Sequence, residues 1–354
     1  MVDLDRTVEL SECLRAATAD RSPVEIVGGG TKAFYGRTTR ASRRCPVDGH
    51  RGILHYDPAE LVLTARGGTP LAEVEAALAA KGQHLPFEPP HFGADATLGG
   101  TIAAGLAGPA RMAAGPVRDY VLGTRVLTGD GRVLKFGGEV MKNVAGYDVA
   151  RLMAGSLGLL GVLLDVSLKV LPSAPARRTL VVEASQAEAL VRMGALARTG
   201  LPVTASAWLA DRWYVRLDGS PPALDAAARQ VGGASLQDDL SFWQGLREQT
   251  CDFFTDARVL WRVTLPAHTP PLAVQAPALI EWNGVQRWYA DVDADALRLA
   301  TAAARGHLTC FRGAPAESEV FAPLTPALLQ LHRRLKAVFD PAGILNPGRM
   351  YAGL

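Results

Sequence analysis

The stretch from Gly137 to Pro172, which reads GGEVMKNVAGYDVARLMAGSLGLLGVLLDVSLKVLP, constrains the fold of this chain more than any other segment. Four glycines, Gly146, Gly155, Gly158 and Gly161, are interspersed with strongly apolar segments. Because glycine has no Cβ, such spacing lets the backbone approach another surface closely. That surface is either a flat bound ligand or a neighbouring element in a tight βα connection, and the stretch alone leaves both open.

Length and charge narrow the class of protein. The chain has 354 residues, 48% of them hydrophobic, which fits one large or two medium domains with a buried core. Its 37 basic and 35 acidic residues nearly cancel and form no block of one sign, so we expect neither nucleic acid nor an anionic membrane surface as a partner. The start MVDLDRTVEL lacks the pattern of a signal peptide, and no apolar run is long enough to span a bilayer. We therefore expect a cytoplasmic protein.

The four cysteines, at positions 13, 45, 251 and 310, show no paired spacing. Neither a zinc knuckle nor an iron–sulfur cluster can be built from them locally, and we predict no metal site. Any redox chemistry would need an organic cofactor.

Two different halves meet near residue 173. Of the 36 glycines, 24 precede that residue, whereas all six tryptophans follow it. The segment Leu171–Pro175 is punctuated by two prolines and reads as an interdomain connection. We predict domains at 1–173 and 174–354. The tryptophans belong either to the core of the second domain or to an interface with a partner.

Hydrophobic periodicity predicts an α+β fold with helices and strands in both halves. The strand at Val162–Val170 alternates, with Leu164, Val166 and Leu168 on one face and Asp165 and Ser167 on the other. The second half alternates strands and helices, which indicates a sheet covered on one face by helices. Further predicted elements are helices at 7–17, 71–81, 186–198, 222–231, 294–305 and 326–339 and strands at 24–27, 61–65, 121–127, 133–136, 180–183, 203–209, 213–217, 259–265, 288–292 and 307–311.

The segment Val24–Val27 runs directly into Gly28-Gly29-Gly30-Thr31-Lys32-Ala33. A glycine turn after a strand exposes consecutive backbone N–H groups, which can hold a pyrophosphate. It lacks the lysine and hydroxyl pair of a Walker loop. It formally fits a relaxed dinucleotide fingerprint, but the residues that follow are polar and non-periodic rather than helical. A phosphate-binding turn of another fold and a plain tight turn remain open.

Several further motifs follow in a fixed order. These are PPH and TLGG at 89–100, GPVRDYVLG at 115–123, KNVAGYD at 142–148, GSLGLLGV at 155–162 and DPAGILNPGRM at 340–350. Together with GGGTK they resemble the FAD-binding domain of flavoproteins of the vanillyl-alcohol oxidase and p-cresol methylhydroxylase (PCMH) type. Over the whole chain they are most similar to the family of FAD-binding E subunits of bacterial glycolate oxidases.

The resemblance implies a two-subdomain PCMH-type FAD-binding domain over 1–173. A smaller α+β cap domain with an antiparallel sheet would follow over 174–354, similar to the C-terminal domain of FAD-linked oxidases and including the closing NPG segment. Thr31 stands where some relatives carry a histidine that tethers the flavin, so the resemblance favours noncovalent FAD. The cofactor-binding residues that it implies are Gly28, Gly29, Gly30, Thr31, Lys32, Ala33, Thr97, Gly99, Gly100, Ala103, Gly105, Gly108, Leu157, Gly158, Gly161 and Val162. Residues 28–33 would hold the pyrophosphate, the 97–108 segment would flank the isoalloxazine and ribityl chain, and Leu157 to Val162 would approach the adenine. Lys142, Asn143, Gly146 and Tyr147 would either contact the flavin or anchor a loop.

The catalytic groups are not evident. Oxidation of a 2-hydroxy acid needs a base for the hydroxyl proton and a cation for the carboxylate. Metal-using relatives resemble one another in a pair of histidines, but here His307 stands alone in GHLTC. His307 and His91 are weak catalytic candidates, and a structural role for each is the alternative.

The resemblance implies a subunit of a glycolate oxidase or dehydrogenase that oxidises glycolate, and D-lactate as a second candidate substrate, to the 2-oxo acid. Its partners would be a larger FAD-containing subunit and an iron–sulfur subunit that accepts electrons, and any association with the inner membrane would occur through them. Two alternatives are a self-sufficient FAD-dependent 2-hydroxy-acid dehydrogenase and a structural subunit with a vestigial flavin pocket.

Overall fold

The computed structural model of the chain describes residues 3–138, 147–314 and 318–354. In its first half, the chain runs through α1 Thr7–Ala19, β1 Val24–Val27, β2 Arg43–Pro46, β3 Ile53–Asp57, β4 Val62–Arg66, α2 Leu71–Ala79, β5 Gln83–His84, α3 Leu98–Ala104, α4 Arg111–Ala114, a 3-10 turn at Val117–Tyr120, β6 Val121–Leu127, β7 Val133–Gly137, α5 Val149–Leu152, β8 Val162–Lys169 and β9 Leu171–Pro172.

The second half contains β10 Ala176–Glu183, α6 Gln186–Leu196, β11 Val203–Leu209, β12 Arg212–Gly219, α7 Pro221–Val231, β13 Ala234–Ser235, α8 Asp239–Glu248, α9 Asp252–Thr255, β14 Leu260–Thr264, β15 Ala278–Glu281, a 3-10 turn at Trp282–Gly284, β16 Gln286–Ala290, α10 Ala294–Ala303, β17 His307–Arg312 and α11 Pro326–Phe339. The α+β class and the antiparallel sheet are confirmed.

The first half is built on a sheet in which the described residues form five strands in the order β3-β4-β8-β6-β7. Strand β8 lies in the middle and pairs antiparallel with β4 and β6. A separate parallel pair, β1 and β2, lies beside it and carries the glycine turn at its end. The glycine turn therefore belongs to the two-stranded sheet and not to the five-stranded one.

Strand β8 departs from the alternation that its sequence predicts. A bulge against β6 leaves Leu164 opposite no residue, because Asp165 pairs with Arg125 and Leu163 pairs with Val126. An extra residue shifts the side-chain phase by one, so Leu164 packs into the cluster around α1 while Val166 packs on the other face. The expectation that these two share a face is wrong for Leu164.

The second half is built on an antiparallel sheet, with eight strands among the described residues in the order β13-β10-β12-β11-β15-β16-β14-β17. Helices α6, α7 and α10 pack on one face, as the alternation of elements predicts. The opposite face packs against α8 and against residues of the first half, including Tyr35, Ala104 and Leu106. All six tryptophans are buried, which supports a role in the core of the second half over a role at an interface with a partner.

The last part of the chain returns to the first half. Phe339, at the end of α11, joins the core of the five-stranded sheet. The backbone N–H of Val24 donates to Ile344 O at 2.7 Å, and that of Asn346 donates to Val24 O at 2.9 Å. The closing segment, defined here as residues 340–350, thus extends the β1 and β2 pair. The domain boundary near residue 173 stays a prediction. The closing segment follows that boundary in sequence but contacts elements of the first half.

Candidate functional site

A cleft opens where the glycine turn after β1 faces the start of α3 and the loop before β8. It encloses about 910 Å³ of empty space, part of which is open to solvent. The predicted cofactor residues that line it are Gly28, Gly29, Gly30, Thr31, Lys32, Ala33, Thr97, Gly99, Gly100, Ala103, Leu157, Gly158, Gly161 and Val162. The fold thus brings three segments that are far apart in sequence into one cavity.

The glycine turn presents unpaired donors to this cleft. Within the described ranges, the backbone N–H groups of residues 28 to 32 donate to no protein acceptor. Gly30 has a φ of +72°, and no atom lies within 4 Å of where its Cβ would be. Consecutive backbone N–H groups in such a turn form a concavity suited to an anion. The turn therefore fits a pyrophosphate of the size and charge that FAD carries.

Lys32 adds a cation at the end of the turn. Its Nζ donates to His91 O at 3.1 Å and lies 5.9 Å from the centre of the Phe92 ring. Burial lowers the pKa of Lys32 to about 8, although the Glu248 carboxylate nearby opposes that shift. The side chain can therefore carry charge at neutral pH and lose it a little above, which makes the local field of the cleft dependent on pH.

The opposite wall is the first turn of α3, in which Thr97 is the N-cap and its Oγ1 accepts a hydrogen bond from the Gly100 N–H at 3.2 Å. A Cβ on Gly28 would lie 2.4 Å from that Oγ1. A Cβ on Gly99 would lie 2.9 Å from Gly67 O. Glycine is required at positions 28 and 99 because a Cβ there would clash with neighbouring protein atoms.

Gly105 and Gly108 do not line the cleft. Gly105 ends α3 in the left-handed region at φ 64°, and a Cβ there would lie 2.9 Å from the Cα of Gly155. A Cβ on Gly108 would lie 2.4 Å from Glu88 O. In both cases close packing against backbone explains the glycine, and Gly108 lines the second cavity described below. A contact of either residue with the cofactor stays a prediction.

The closing segment completes the cleft with two residues, Asn346 and Arg349, that our sequence reasoning did not select. Asn346 Oδ1 accepts from the Ile26 N–H at 2.8 Å, and its Nδ2 donates to Leu157 O at 2.7 Å. Arg349 donates to the carbonyls of Lys32 at 3.2 Å and Ala33 at 2.8 Å. Both side chains hold cleft-lining backbone in place, and the DPAGILNPGRM motif was the available signal.

A second, narrower cavity lies where the first half meets the eight-stranded sheet. It encloses about 330 Å³ of empty space, part of it open to solvent. One side is formed by Pro90, Phe92 and residues 106–109, which continue from the α3 wall of the cleft. The other side is formed by sheet side chains and the end of α8, namely Leu246, Arg247, Gln249, Arg262, Glu281, Gln286, Trp288 and Phe311. The same 97–109 segment thus borders both cavities.

Neither candidate histidine lines either cavity. His91 Nε2 lies 2.9 Å from a Glu75 oxygen, and the His91 backbone N–H donates to Glu248 at 3.0 Å. His307 is exposed at the first position of β17 and pairs with Thr264. Their catalytic roles stay predictions, and the contacts of His91 favour a structural one.

Some expectations fall on other parts of the chain. Lys142, Asn143 and Gly146 lie outside the described residues, while Tyr147 is 96% exposed. In the described ranges, no group of three or more His, Cys, Asp or Glu side chains is placed to hold a metal ion. No helix among those residues is long and apolar enough to cross a bilayer.

Comparison with known proteins agrees with the geometry. Residues 2–137 match the family model described as FAD binding domain, and residues 281–350 match that of the C-terminal domain of FAD linked oxidases. A solved structure of alkyldihydroxyacetonephosphate synthase superposes with a TM-score of 0.69 at 16% identity, covering 96% of this chain and 75% of that one. At that identity the likeness establishes the fold alone.

Two curated relatives are more informative. Glycolate oxidase subunit GlcD of Bacillus subtilis (strain 168) is 31% identical over 49% of this chain and 37% of its own length. Glycolate oxidase subunit GlcE of Escherichia coli (strain K12) is 45% identical over 99% of both chains. The resemblance that the motifs indicated is confirmed, FAD is the cofactor, and the chain belongs to the family of the glycolate oxidase subunit GlcE, among the FAD-linked oxidases.

Proposed function

We propose that this chain is the FAD-holding subunit of an assembly that oxidises glycolate to its 2-oxo acid. The observation that carries the proposal is the row of unpaired N–H groups at residues 28 to 32, which faces a cleft lined by the predicted glycines. The similarity to glycolate oxidase subunit GlcE over 99% of the chain supports the substrate class and the FAD-dependent oxidoreductase activity.

In this proposal, residues 28 to 33 bind the pyrophosphate, and the loop from Leu157 to Val162 lies against the adenine end. The α3 wall, from Thr97 to Ala103, faces the ribityl chain and the flavin ring. Bound FAD supplies the acceptor for the two electrons that leave the hydroxy acid. Noncovalent binding is expected because Thr31 follows the glycines where a tethering side chain would stand.

Partners follow from the same reasoning. The similarity of this chain to both GlcE and GlcD supports a complex in which a second flavoprotein subunit is present. As a further partner we propose an iron–sulfur subunit that accepts the electrons from the flavin. We further propose that the assembly works in the cytoplasm and meets the inner membrane only through these partners.

Affinity purification of the chain at its native level, followed by flavin and iron analysis, tests the proposal. We expect a larger flavoprotein and an iron-containing subunit to co-purify, and we expect acid precipitation to release the flavin into solution. Recovery of the chain alone, with substantial glycolate or D-lactate turnover using an artificial acceptor, would indicate a self-sufficient dehydrogenase. An absence of flavin would indicate a structural subunit.

A further inference from the structure

Helix α11, near the end of the chain, turns an apolar face toward solvent. Leu328, Leu331 and Val338 are 46%, 60% and 66% exposed. Leu335 is half-buried and lies on the same side of the helix. The four positions follow the spacing i, i+3, i+7 and i+10, which lines them up along one face, and we call them the α11 stripe. A surface helix usually buries such a stripe in the core of its own chain, so this one lacks that cover.

Hydrogen bonds on another side of the helix fix this orientation. Lys336 is buried, and its Nζ donates to Leu159 O at 3.1 Å and to Leu345 O at 2.8 Å. The same Nζ pairs with the Asp340 carboxylate at 2.9 Å. Turning the helix to bury the stripe would break all three contacts and leave a buried ammonium group without partners, which is strongly unfavourable. Exposure of the stripe is therefore built into the fold.

The first half of α11 is held by its cap rather than by packing. Within the described ranges, no side chain from Ala327 to Leu331 belongs to a hydrophobic core. Thr325 Oγ1 accepts a hydrogen bond from the Leu328 N–H at 3.4 Å, and Pro326 occupies the first turn, where its fixed φ suits a helix. A helix of 14 residues is marginal in water on its own. The cap therefore keeps a projecting face ordered in advance of any contact, which lowers the entropic cost of binding.

The charges on α11 are all of one sign. Its sequence, PALLQLHRRLKAVF, has two arginines, one lysine and one histidine but no acidic residue. Arg334 lies at the edge of the stripe, and in the described part of the chain it has neither an ion pair nor a hydrogen bond. Arg333 donates to Gly353 O at 3.3 Å. A second copy of this chain would bring the same cations together across the contact, whereas a surface with carboxylates would complement them.

An anionic membrane would also attract these cations. Helices that lie in a membrane surface present Trp, Phe and Leu along a long apolar face. The α11 stripe has three leucines and one valine, and the nearest aromatic residue of the helix, Phe339, is buried in the core of the five-stranded sheet. Apolar anchors at i, i+3 and i+7 are instead typical of a helix that packs into a groove on another protein.

We infer that the α11 stripe is a docking surface for a partner subunit whose contacting surface is apolar at its centre and carries carboxylates at its edge. The inference rests on the proposed function for the existence of a partner subunit. It deepens that proposal by placing the contact on this chain. Leu331, at the middle of the stripe, would be buried in the partner's groove, and Arg334 would pair with a carboxylate.

A pair of matched variants tests the inference in the full chain carrying FAD, affinity-purified at its native level. Leu331→Asp places a charge in the stripe. Leu299→Asp is the control, because Leu299 is also a leucine on a helix, α10, and is 74% exposed. We expect Leu331→Asp to lower the amount of co-purifying flavoprotein subunit on the order of tenfold or more and Leu299→Asp to leave it unchanged. FAD content and thermal unfolding should match the unaltered chain in both, since both positions face solvent.

Equal co-purification by the two variants would overturn the inference and leave the proposed function standing. If the unaltered chain, with its FAD, brought down no other subunit, the proposed function itself would fail. Leu331→Ala keeps the test decisive if the aspartate variant does not fold, and a several-fold loss is expected from it.

The charge of the partner surface is tested at Arg334. Arg334→Glu should lower co-purification about tenfold, and added salt should reduce its difference from the unaltered chain. Arg229→Glu is the control, because Arg229 is exposed in the last turn of α7, away from the stripe, and it should change nothing. A loss equal for both arginine variants would contradict a specific role of Arg334.

Cross-linking identifies the occupant. Arg334→Lys introduces an amine, which a carbodiimide joins to a nearby carboxylate, and mass spectrometry of the purified assembly should find position 334 linked to an acidic residue of a partner subunit. A link to a second copy of this chain would overturn the inference. Binding of the chain alone to phosphatidylglycerol vesicles, if Leu331→Asp abolished it, would overturn it in favour of a membrane.

Discussion

The two cavities of this protein are made of different parts of the chain. The cleft at the glycine turn is lined largely by backbone, with glycines and unpaired N–H groups on the turn after β1. The second cavity is lined on one side by long side chains from four strands and one helix, and on the other by Pro90, Phe92 and residues 106–109. Replacing a side chain leaves the backbone donors of the glycine turn in place, whereas a replacement in the lining of the second cavity alters its surface. The capacity of the turn to bind an anion is therefore a property of the backbone, and the chemistry of the second cavity is set by its individual side chains.

The largest effect is expected from adding one methyl group to the backbone-lined cleft. A Cβ on Gly29 would lie 1.5 Å from Asp95 O, whereas no atom lies within 4 Å of a Cβ on Gly30. We expect Gly29→Ala to lower the free energy of unfolding by about 3 kcal/mol or more, and FAD affinity by a factor on the order of 100. Gly30→Ala should cost only about 1 kcal/mol, from its left-handed backbone.

Chemical unfolding and flavin fluorescence titration measure both effects. Equal losses for the two variants would mean that free space in front of the turn, rather than its contact with Asp95, decides the requirement for glycine.

A second test uses the buried carboxyl group of the side-chain-lined cavity. Burial raises the pKa of Glu281 from 4.5 to about 7. At a pH between these two values, the folded state keeps a proton that the unfolded state has released. The stabilising contribution of the protonated group is therefore complete below the unfolded pKa and is lost as the pH rises through 7. Relative to Glu281→Gln, the unaltered chain should lose about 3 kcal/mol of unfolding free energy between about pH 4 and about pH 8.

Denaturant unfolding at a series of pH values checks this expectation, with the difference between the two proteins removing the effect of all other groups. If the unfolding free energies of the two proteins depended on pH in the same way, Glu281 would titrate alike in the folded and unfolded states, which would contradict the expectation.

The smallest expected effect concerns the hydrogen bonds that hold the cleft from behind. Asn346→Ala removes the bonds to the Ile26 N–H and to Leu157 O, and we expect a loss of about 2 kcal/mol in unfolding free energy, near 1 for each bond. Asn346→Asp keeps an acceptor for Ile26 but places a carboxylate oxygen against Leu157 O at a buried position, so it should lose at least as much as Asn346→Ala. Thermal unfolding measures both variants; an Asn346→Asp protein as stable as the unaltered chain would contradict the role of the Leu157 hydrogen bond.

Much of the fold could be predicted, because hydrophobic periodicity is a local property. The strands Val24–Val27 and Val203–Leu209 and the helix Pro326–Phe339 begin and end where the sequence indicates. Local sequence does not predict helix α3, because Leu98–Ala104 carries Gly99 and Gly100 in its first turn; the N-cap Thr97 and packing against Gly67 stabilise it instead. Local propensity does not include such contacts.

The residues of the two cavities also divide into those that the sequence could predict and those that it could not. The sequence could predict that residues 28–33 form an exposed glycine turn after a strand, because that property resides in one short motif; their contact with the cofactor stays a prediction. Arg262 and Glu281 could not be predicted as neighbours, because only the pairing of β14, β15 and β16 brings them to one cavity. Asn346 belongs to a motif that was recognised, but its partner Ile26 is 320 residues away in sequence. Its place in the motif did not reveal its role, which depends on contacts that only the fold provides.

That separation affects how the protein is made. Arg349 donates to two carbonyls of the glycine turn, and 316 residues separate it from Ala33. Because the ribosome adds residues from the amino end, the nascent turn lacks this support until Arg349 has been added. We therefore expect the turn to reach its final shape only after residue 349 has been synthesised.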